Sequence, residues 1–166
     1  DLRNNGGGSL DESITMAGLF FSKGPVVQVK SSTGKIETYY DRDPATFYDG
    51  PLVVMINRNS ASASEIFAGA IRDYQRGVIV GDTHTFGKGT VQNVIDLNRF
   101  INDDSDDDYG RLKTTIAQFF RVSGSSNQYK GVIPDIKFPA VEYLNGDIGE
   151  RSYKNALPWD EVRPAK

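Results

Sequence analysis

Apolar residues fall at two different spacings along this chain, and the spacings alternate. Leu10, Ile14, Ala17 and Phe21 recur every three or four positions behind Ser9-Leu10-Asp11-Glu12, a stretch with capping-box spacing. That combination predicts a helix from about Leu10 to Phe21. Before it, Asp1–Arg3 reads as the end of a strand and Asn4–Gly8 as a turn able to take positive φ. Pro25–Lys30 and Lys35–Tyr40 are β-rich runs separated by Ser-Ser-Thr-Gly, which predicts a hairpin. Leu52–Ile56 is an unbroken apolar run of strand length, expected as a central strand covered on both faces.

Ser62-Ala63-Ser64-Glu65 repeats the capping-box spacing. Behind it Ile66, Ala70, Ile71 and Tyr74 form a dry helical face, with Arg72, Asp73, Gln75 and Arg76 on the wet one. Val78–Val80 is again a short apolar run. Strand, helix and strand in this order predict a parallel crossover unit. Gln92–Leu97 and the alternating Lys113–Val122 read as further strands. Asn102–Gly110, rich in aspartate, reads as a solvated loop. The tail after Pro139 is polar and ends near Leu157-Pro158-Trp159-Asp160, which is expected to dock on the domain.

Composition narrows the function classes. The chain has 166 residues, 38% of them hydrophobic, with a net charge of -3 and no cysteine. The length supports one domain with a real core. The charge gives no electrostatic case for nucleic acid. No apolar run approaches the roughly 20 residues a membrane helix needs. The absence of cysteine fits an oxidising or a reducing compartment equally. Because the chain opens on Asp1 in what reads as a strand end, it is expected to be the C-terminal part of a longer protein.

Between the apolar run at Leu52–Ile56 and the helix lie three serines alternating with alanines, Ser60, Ser62 and Ser64. They can serve simply as a turn and an N-cap. A serine at a helix N-terminus can also act as a nucleophile, because unpaired N–H groups and the helix dipole favour developing negative charge. Ser62, at the predicted cap, is the best candidate, with the Ala63 N–H aimed where an oxyanion would form. Ser60 belongs to the turn and Ser64 to the first helical turn.

Downstream, Phe86-Gly87-Lys88-Gly89 pins a lysine between two glycines. It is not a phosphate loop. Five residues separate Gly81 from Gly87 where four are required, and Gly89 stands where Ser or Thr is needed. An exposed turn lysine is the plain alternative. A lysine serving as general base must lose its charge, since at an ordinary pKa of about 10.4 roughly one molecule in 2,500 is neutral at pH 7. Phe86 and the apolar strand before it can desolvate Lys88, and the Gln92 amide can orient its amine without adding charge. His84, the sole histidine, reads as a loop residue rather than a base. Asp104, Asp106 and Asp108 imitate a calcium loop, but Tyr109 and Thr115 occupy positions that need glycine and glutamate.

Taken together, DLRNNGGG, SASASEIFAGAIRDYQR, VGDTHTFGKGTVQ, YKGVIPDI and NALPWD resemble the carboxy-terminal processing, or tail-specific, protease family, above all its bacterial periplasmic branch. The resemblance spans nearly the whole chain. It implies an α/β fold of ClpP/crotonase type, a partial serine protease core with a mixed sheet, flanking helices and β-hairpins. It implies that residues 1–166 are the C-terminal portion of the catalytic domain, without the PDZ domain the family carries. It implies Ser62 as nucleophile, Lys88 as general base and Gln92 as orienting residue. The oxyanion donors are the N–H of Ala63 and a glycine of the opening turn, Gly7 first, then Gly6 and Gly8.

The activity implied is that of a serine endopeptidase cutting protein substrates near accessible C-terminal tails through an acyl-enzyme, with no metal or cofactor. The setting implied is periplasmic, with inner-membrane association, an adaptor or an oligomer compatible with it. The stretch from Gly81 to Phe86 is one residue longer than the family commonly has, which is expected to reshape the loop before Lys88. This chain alone is expected to be weakly active or inactive. A non-catalytic peptide-binding module is the rival reading, and an acyl-CoA enzyme sharing the oxyanion hole is a third.

Overall fold

A computed structural model describes residues 1–101, 107–139 and 148–165. The predicted acidic loop falls largely outside these, as does the start of the tail. Within them the chain forms α1 (Leu10–Gly18), β1 (Pro25–Ser31), β2 (Ile36–Tyr40), β3 (Val53–Ile56), α2 (Ala63–Asp73), β4 (Val78–Gly81), β5 (Thr90–Asp96), β6 (Arg111–Phe120) and β7 (Ile136–Lys137). The fold is mixed α/β, as expected, with its strands divided between two sheets. An antiparallel sheet has the order β2-β1-β6-β5, and a parallel one the order β3-β4-β7.

The hairpin and the parallel crossover form where the pattern placed them. Helix α1 stops sooner than expected. Leu19 and Phe20 N–H groups bond back to Met16 and Ala17 in a tight turn. This turn frees Phe20 to meet Phe67 edge-on at 5.7 Å, and Phe21 to stack on Tyr74 at 4.4 Å. Packing of two rings onto α2 thus overrides helical continuation.

Strand β3 is not covered on both faces. It lies at the edge of its sheet; Val54 and Ile56 are buried while Val53 is 59% exposed. Its far side meets Leu2, whose N–H donates to Met55 O at 2.9 Å, although Asp1–Arg3 adopts no strand.

One core joins the layers: Ile14 and Ala17 from α1, Val26 and Val27 from β1, Val54 and Ile56 from β3, Ile66, Phe67 and Ile71 from α2, and Phe119 from β6. Burying a side chain of this size contributes about 1.5–3 kcal/mol. Asp73, at the end of α2, pairs with Arg121 just beyond β6 and ties the helix to the antiparallel sheet. The tail docks as expected. Trp159 Nε1 donates to Ser126 O at 3.0 Å, and Asp160 pairs with Lys30 at 3.0 Å.

Candidate active site

The turn between β3 and α2 is built by short polar side chains. Asn57 N–H donates to Ser60 Oγ at 3.0 Å, and that hydroxyl donates to Leu2 O at 2.7 Å. Ser60 is fully buried and belongs to the turn. Ser64, in the first turn of α2, donates to Asn5 O and Oδ1. Ser62 differs from both. It caps α2 with φ 58° and ψ −116°, a left-handed conformation that costs a residue with a Cβ roughly 1–3 kcal/mol. Ala63 follows as the first helical residue, so its N–H is one of the donors a helix leaves unpaired.

The opening glycine turn packs directly on this corner. Ala61 N–H donates to Asn5 O at 2.9 Å. Gly7 has φ +94°, and a Cβ there would lie 2.6 Å from Ala61 O and 2.8 Å from both Ala63 N and Ser62 Cβ. No other residue type fits. The Gly7 N–H itself donates to Asn5 Oδ1 at 2.9 Å. Gly8, one residue on, lines the same cavity as Ser62 and Ala63.

Lys88 arrives on a loop held at every step. Phe86 N–H donates to Ser60 O at 2.9 Å, which ties the lysine loop to the serine turn. Gly87 has φ +88°, the left-handed region that glycine tolerates best. Gly89 N–H donates to the buried Gln128 Oε1 at 2.8 Å. The Gln128 amide nitrogen in turn donates to Glu150 Oε1 and Leu157 O, each at 3.1 Å. The lysine loop is thereby coupled to the C-terminal segment. Thr85, in the longer stretch before Lys88, is fully buried, and its hydroxyl bonds to Glu65 and to Val132 N–H.

Glu65 joins the two halves. It is fully buried and accepts from Ser62 N–H at 2.8 Å, Lys88 N–H at 3.0 Å, Gly87 N–H at 2.7 Å and Thr85 Oγ1 at 2.5 Å. Burial pushes its carboxyl up to about 7, against the pull of those four donors. The sequence marked Glu65 only as the third residue of a capping box. Its contacts to Thr85, Gly87 and Lys88 carry no local signal.

Ser62, Lys88 and Gln92 meet around one cavity of about 310 Å³, together with Ala63, Gly8, Thr90 and Lys113. Among the described residues no hydrogen bond runs directly from Ser62 Oγ to Lys88 Nζ. Such contacts commonly tighten only when substrate is bound. Lys88 is half-buried, and its amine is held below the usual lysine range. Desolvation is the main cause, the Lys113 charge adds to it, and Glu150 and Glu65 oppose it. Gln92 reaches the cavity through a bulge: Val91 faces Ala117 but Gln92 faces Thr115, so Ile116 is the extra residue. A bulge re-aims the side chains beside it.

His84 is buried, with Nδ1 2.6 Å from Thr85 O. Asp82 pairs with Arg58 at 3.1 Å and accepts from Thr83 N–H. A further cavity of about 470 Å³ lies beside the serine corner, lined by Gly7, Gly8 and Ala63 together with the apolar Leu2, Met16 and Leu19. Among the described residues no cluster of His, Cys, Asp or Glu could hold a metal ion.

Known proteins resemble this chain in sequence and fold. A family model described as Peptidase family S41 matches residues 1–138. The chain is 50% identical over 165 residues to the tail-specific protease of Haemophilus influenzae, covering 99% of this chain and 23% of that protein. It is 39% identical over 137 residues to the carboxy-terminal-processing protease of Bartonella bacilliformis, covering 82% and 29%. Among solved structures, a photosystem II D1 C-terminal processing protease aligns with TM-score 0.63 and 37% identity, over 83% of this chain and 33% of that one. The chain thus spans about a quarter of the length of the curated relatives it matches.

Proposed function

The chain belongs to Peptidase family S41, and from that premise we propose that it carries the Ser-Lys site of a serine endopeptidase that cuts protein substrates near their C-termini. The observation that carries this reading is the common cavity of Ser62, Lys88 and Gln92, whose two principal loops share one carboxylate, Glu65.

The neutral Lys88 amine takes the proton of Ser62 Oγ, and the oxygen attacks the scissile carbonyl carbon. The carbonyl oxygen becomes an oxyanion, stabilised by the Ala63 N–H and by an N–H of the glycine turn. Gly7 serves once Asn5 releases it; otherwise Gly8 is nearest. The tetrahedral intermediate collapses, the C–N bond breaks, and the Lys88 ammonium protonates the leaving amine. The Ser62 ester remains. Lys88, neutral again, takes a proton from water, the hydroxide attacks the ester, and serine leaves with that proton. Gln92 orients the amine. The apolar cavity beside Gly7 and Ala63 suits an uncharged side chain preceding the scissile bond.

A lysine amine held below its usual range by burial, a strained serine at a helix N-terminus and a closely packed glycine turn all support catalysis over passive peptide binding. A periplasmic setting belongs to the same proposal and rests on the resemblance of the sequence motifs to the bacterial periplasmic branch of the family. Ser62→Ala and Lys88→Ala, made in the intact protein, are each expected to abolish cleavage of a protein with an apolar C-terminal tail. Near-normal activity in either would overturn the assignment. Peptide binding without turnover by the unaltered protein would favour a binding module.

A further inference from the structure

We propose that Lys113 is a positioning residue of this site, a second cation set beside Lys88 to keep its amine in the neutral, proton-accepting form. The proposal rests on reading Lys88 as the general base. Lys113 lies on β6 opposite Val94, past the bulge at Ile116. The bulge changes which β6 residues share a face with Gln92, and Thr115 and Lys113 now stand on that face.

As a result Lys113 lines the cavity that holds Ser62, Lys88 and Gln92. It also lines a second cavity of about 490 Å³ on the other side of Lys88, with Thr115, Glu150 and Tyr153. Four residues, Lys88, Thr90, Gln92 and Lys113, border both spaces. An ordinary strand lysine would extend into solvent away from another ammonium. This one borders both of the cavities that Lys88 borders.

The charged groups around Lys88 come from three elements. Lys113 approaches from β6, Glu150 from the turn at Glu150–Ser152, and Glu65 from α2. The two carboxylates favour the ammonium, and Lys113 and desolvation oppose them. A neighbouring cation is a recognised way to activate a lysine. Lys113 is exposed, so water and salt weaken the effect, and high ionic strength should shrink it.

The test compares Lys113→Gln and Lys113→Arg in the intact protein. The acidic limb of the kcat/KM pH profile should move up by about half a unit or more in Lys113→Gln, roughly a threefold loss of kcat/KM below the limb. Lys113→Arg should restore it. A raised KM with an unmoved limb would make Lys113 a substrate contact and overturn the proposal. A second readout needs no turnover. In a Ser62→Ala background, competitive acetylation of Lys88 by acetic anhydride across pH, read by peptide mass spectrometry, should show its midpoint raised by Lys113→Gln. An unchanged midpoint overturns the role of Lys113 alone, whereas activity surviving Lys88→Ala overturns the base assignment beneath it.

Discussion

Ser62 and Lys88 donate their main-chain N–H groups to one and the same oxygen, Oε2 of Glu65, at 2.8 and 3.0 Å. The spacing between the proposed nucleophile and base is thus tied to a third residue, whose carboxylate hydrogen-bonds neither of their side chains. The other carboxylate oxygen holds Gly87 N–H and Thr85 Oγ1, which leaves no part of the group free to move.

Glu65→Gln is therefore expected to lower kcat at least tenfold while changing KM little. An amide places an N–H₂ where two donors already point, so at least one bond, that of Gly87 N–H, becomes a clash between donors, and at the other oxygen both bonds do. Leaving a buried donor unsatisfied costs about 1–3 kcal/mol. Steady-state kinetics with a thermal melt in parallel check this. Unchanged kcat would mean that the two loops hold their spacing without the carboxylate.

The same carboxyl opposes stability and activity as pH changes. Its ordinary value is 4.5, and burial raises it to about 7 in the folded protein. Between those values the folded state binds this proton more tightly than the unfolded state does. The contribution of Glu65 to stability is therefore full below 4.5 and is lost as pH rises through about 7. The proposed catalysis is expected to need the ionised form, because all four donors point at it. Activity should thus rise through neutrality, while the melting temperature falls by an amount set by about 3 kcal/mol. Melts in the unaltered protein and in Glu65→Gln, from about pH 5 to 8, should show that slope only in the former.

Much of the frame was legible because its causes are local. Capping serines, the apolar face from Ile66 to Tyr74 and the hairpin spacing each act within a few residues. The early end of α1 was not, because it depends on Phe20 and Phe21 meeting Phe67 and Tyr74 across the core. The edge position of β3 depends on which strands are paired, and the two-residue β7 has no pattern to read. At the site, Ser62, Lys88 and Gln92 were visible as residue types in a motif. The Glu65 tie, the bulge at Ile116 and the approach of Lys113 arise only from contacts between distant segments.

Gly7 provides a steric test of the corner. An alanine methyl there would meet Ala61 O, Ala63 N and Ser62 Cβ inside 3 Å, whereas Gly6 and Gly8 face open space. The backbone at φ +94° adds strain of about 1 kcal/mol or more. Gly7→Ala is expected to lower kcat at least tenfold by pushing Ser62 and Ala63 apart from the turn, with a fall in melting temperature from the same clash. Kinetics near those of the unaltered protein would show that the turn does not rest on Ser62 during catalysis.

Gln128 carries the last prediction, because it links the loop of the proposed base, Lys88, to a segment beyond the family match. The match ends at residue 138, yet Glu150, Tyr153, Asn155 and Leu157 wall the cavity on the far side of Lys88. One buried amide bridges the two: Gly89 N–H donates to its oxygen, and its nitrogen serves Glu150 and Leu157. Phe86 adds to the link, since its carbonyl accepts from Glu150 N–H at 2.8 Å and its ring lies 6.3 Å from Tyr153. Removing the segment would leave the Gln128 nitrogen without these protein partners and the lysine loop without its outer wall. Desolvation of Lys88 would weaken, and its amine would return toward the ordinary, charged form. Gln128→Leu should therefore cost about 1–3 kcal/mol of stability and move the acidic limb of the kcat/KM profile upward. A chain ended after residue 148 loses this wall together with the Glu150 carboxylate, which favours the ammonium, so the two losses oppose each other there. Melts and pH profiles check this, and a limb unmoved in Gln128→Leu would show that the segment packs beside the proposed base without tuning it.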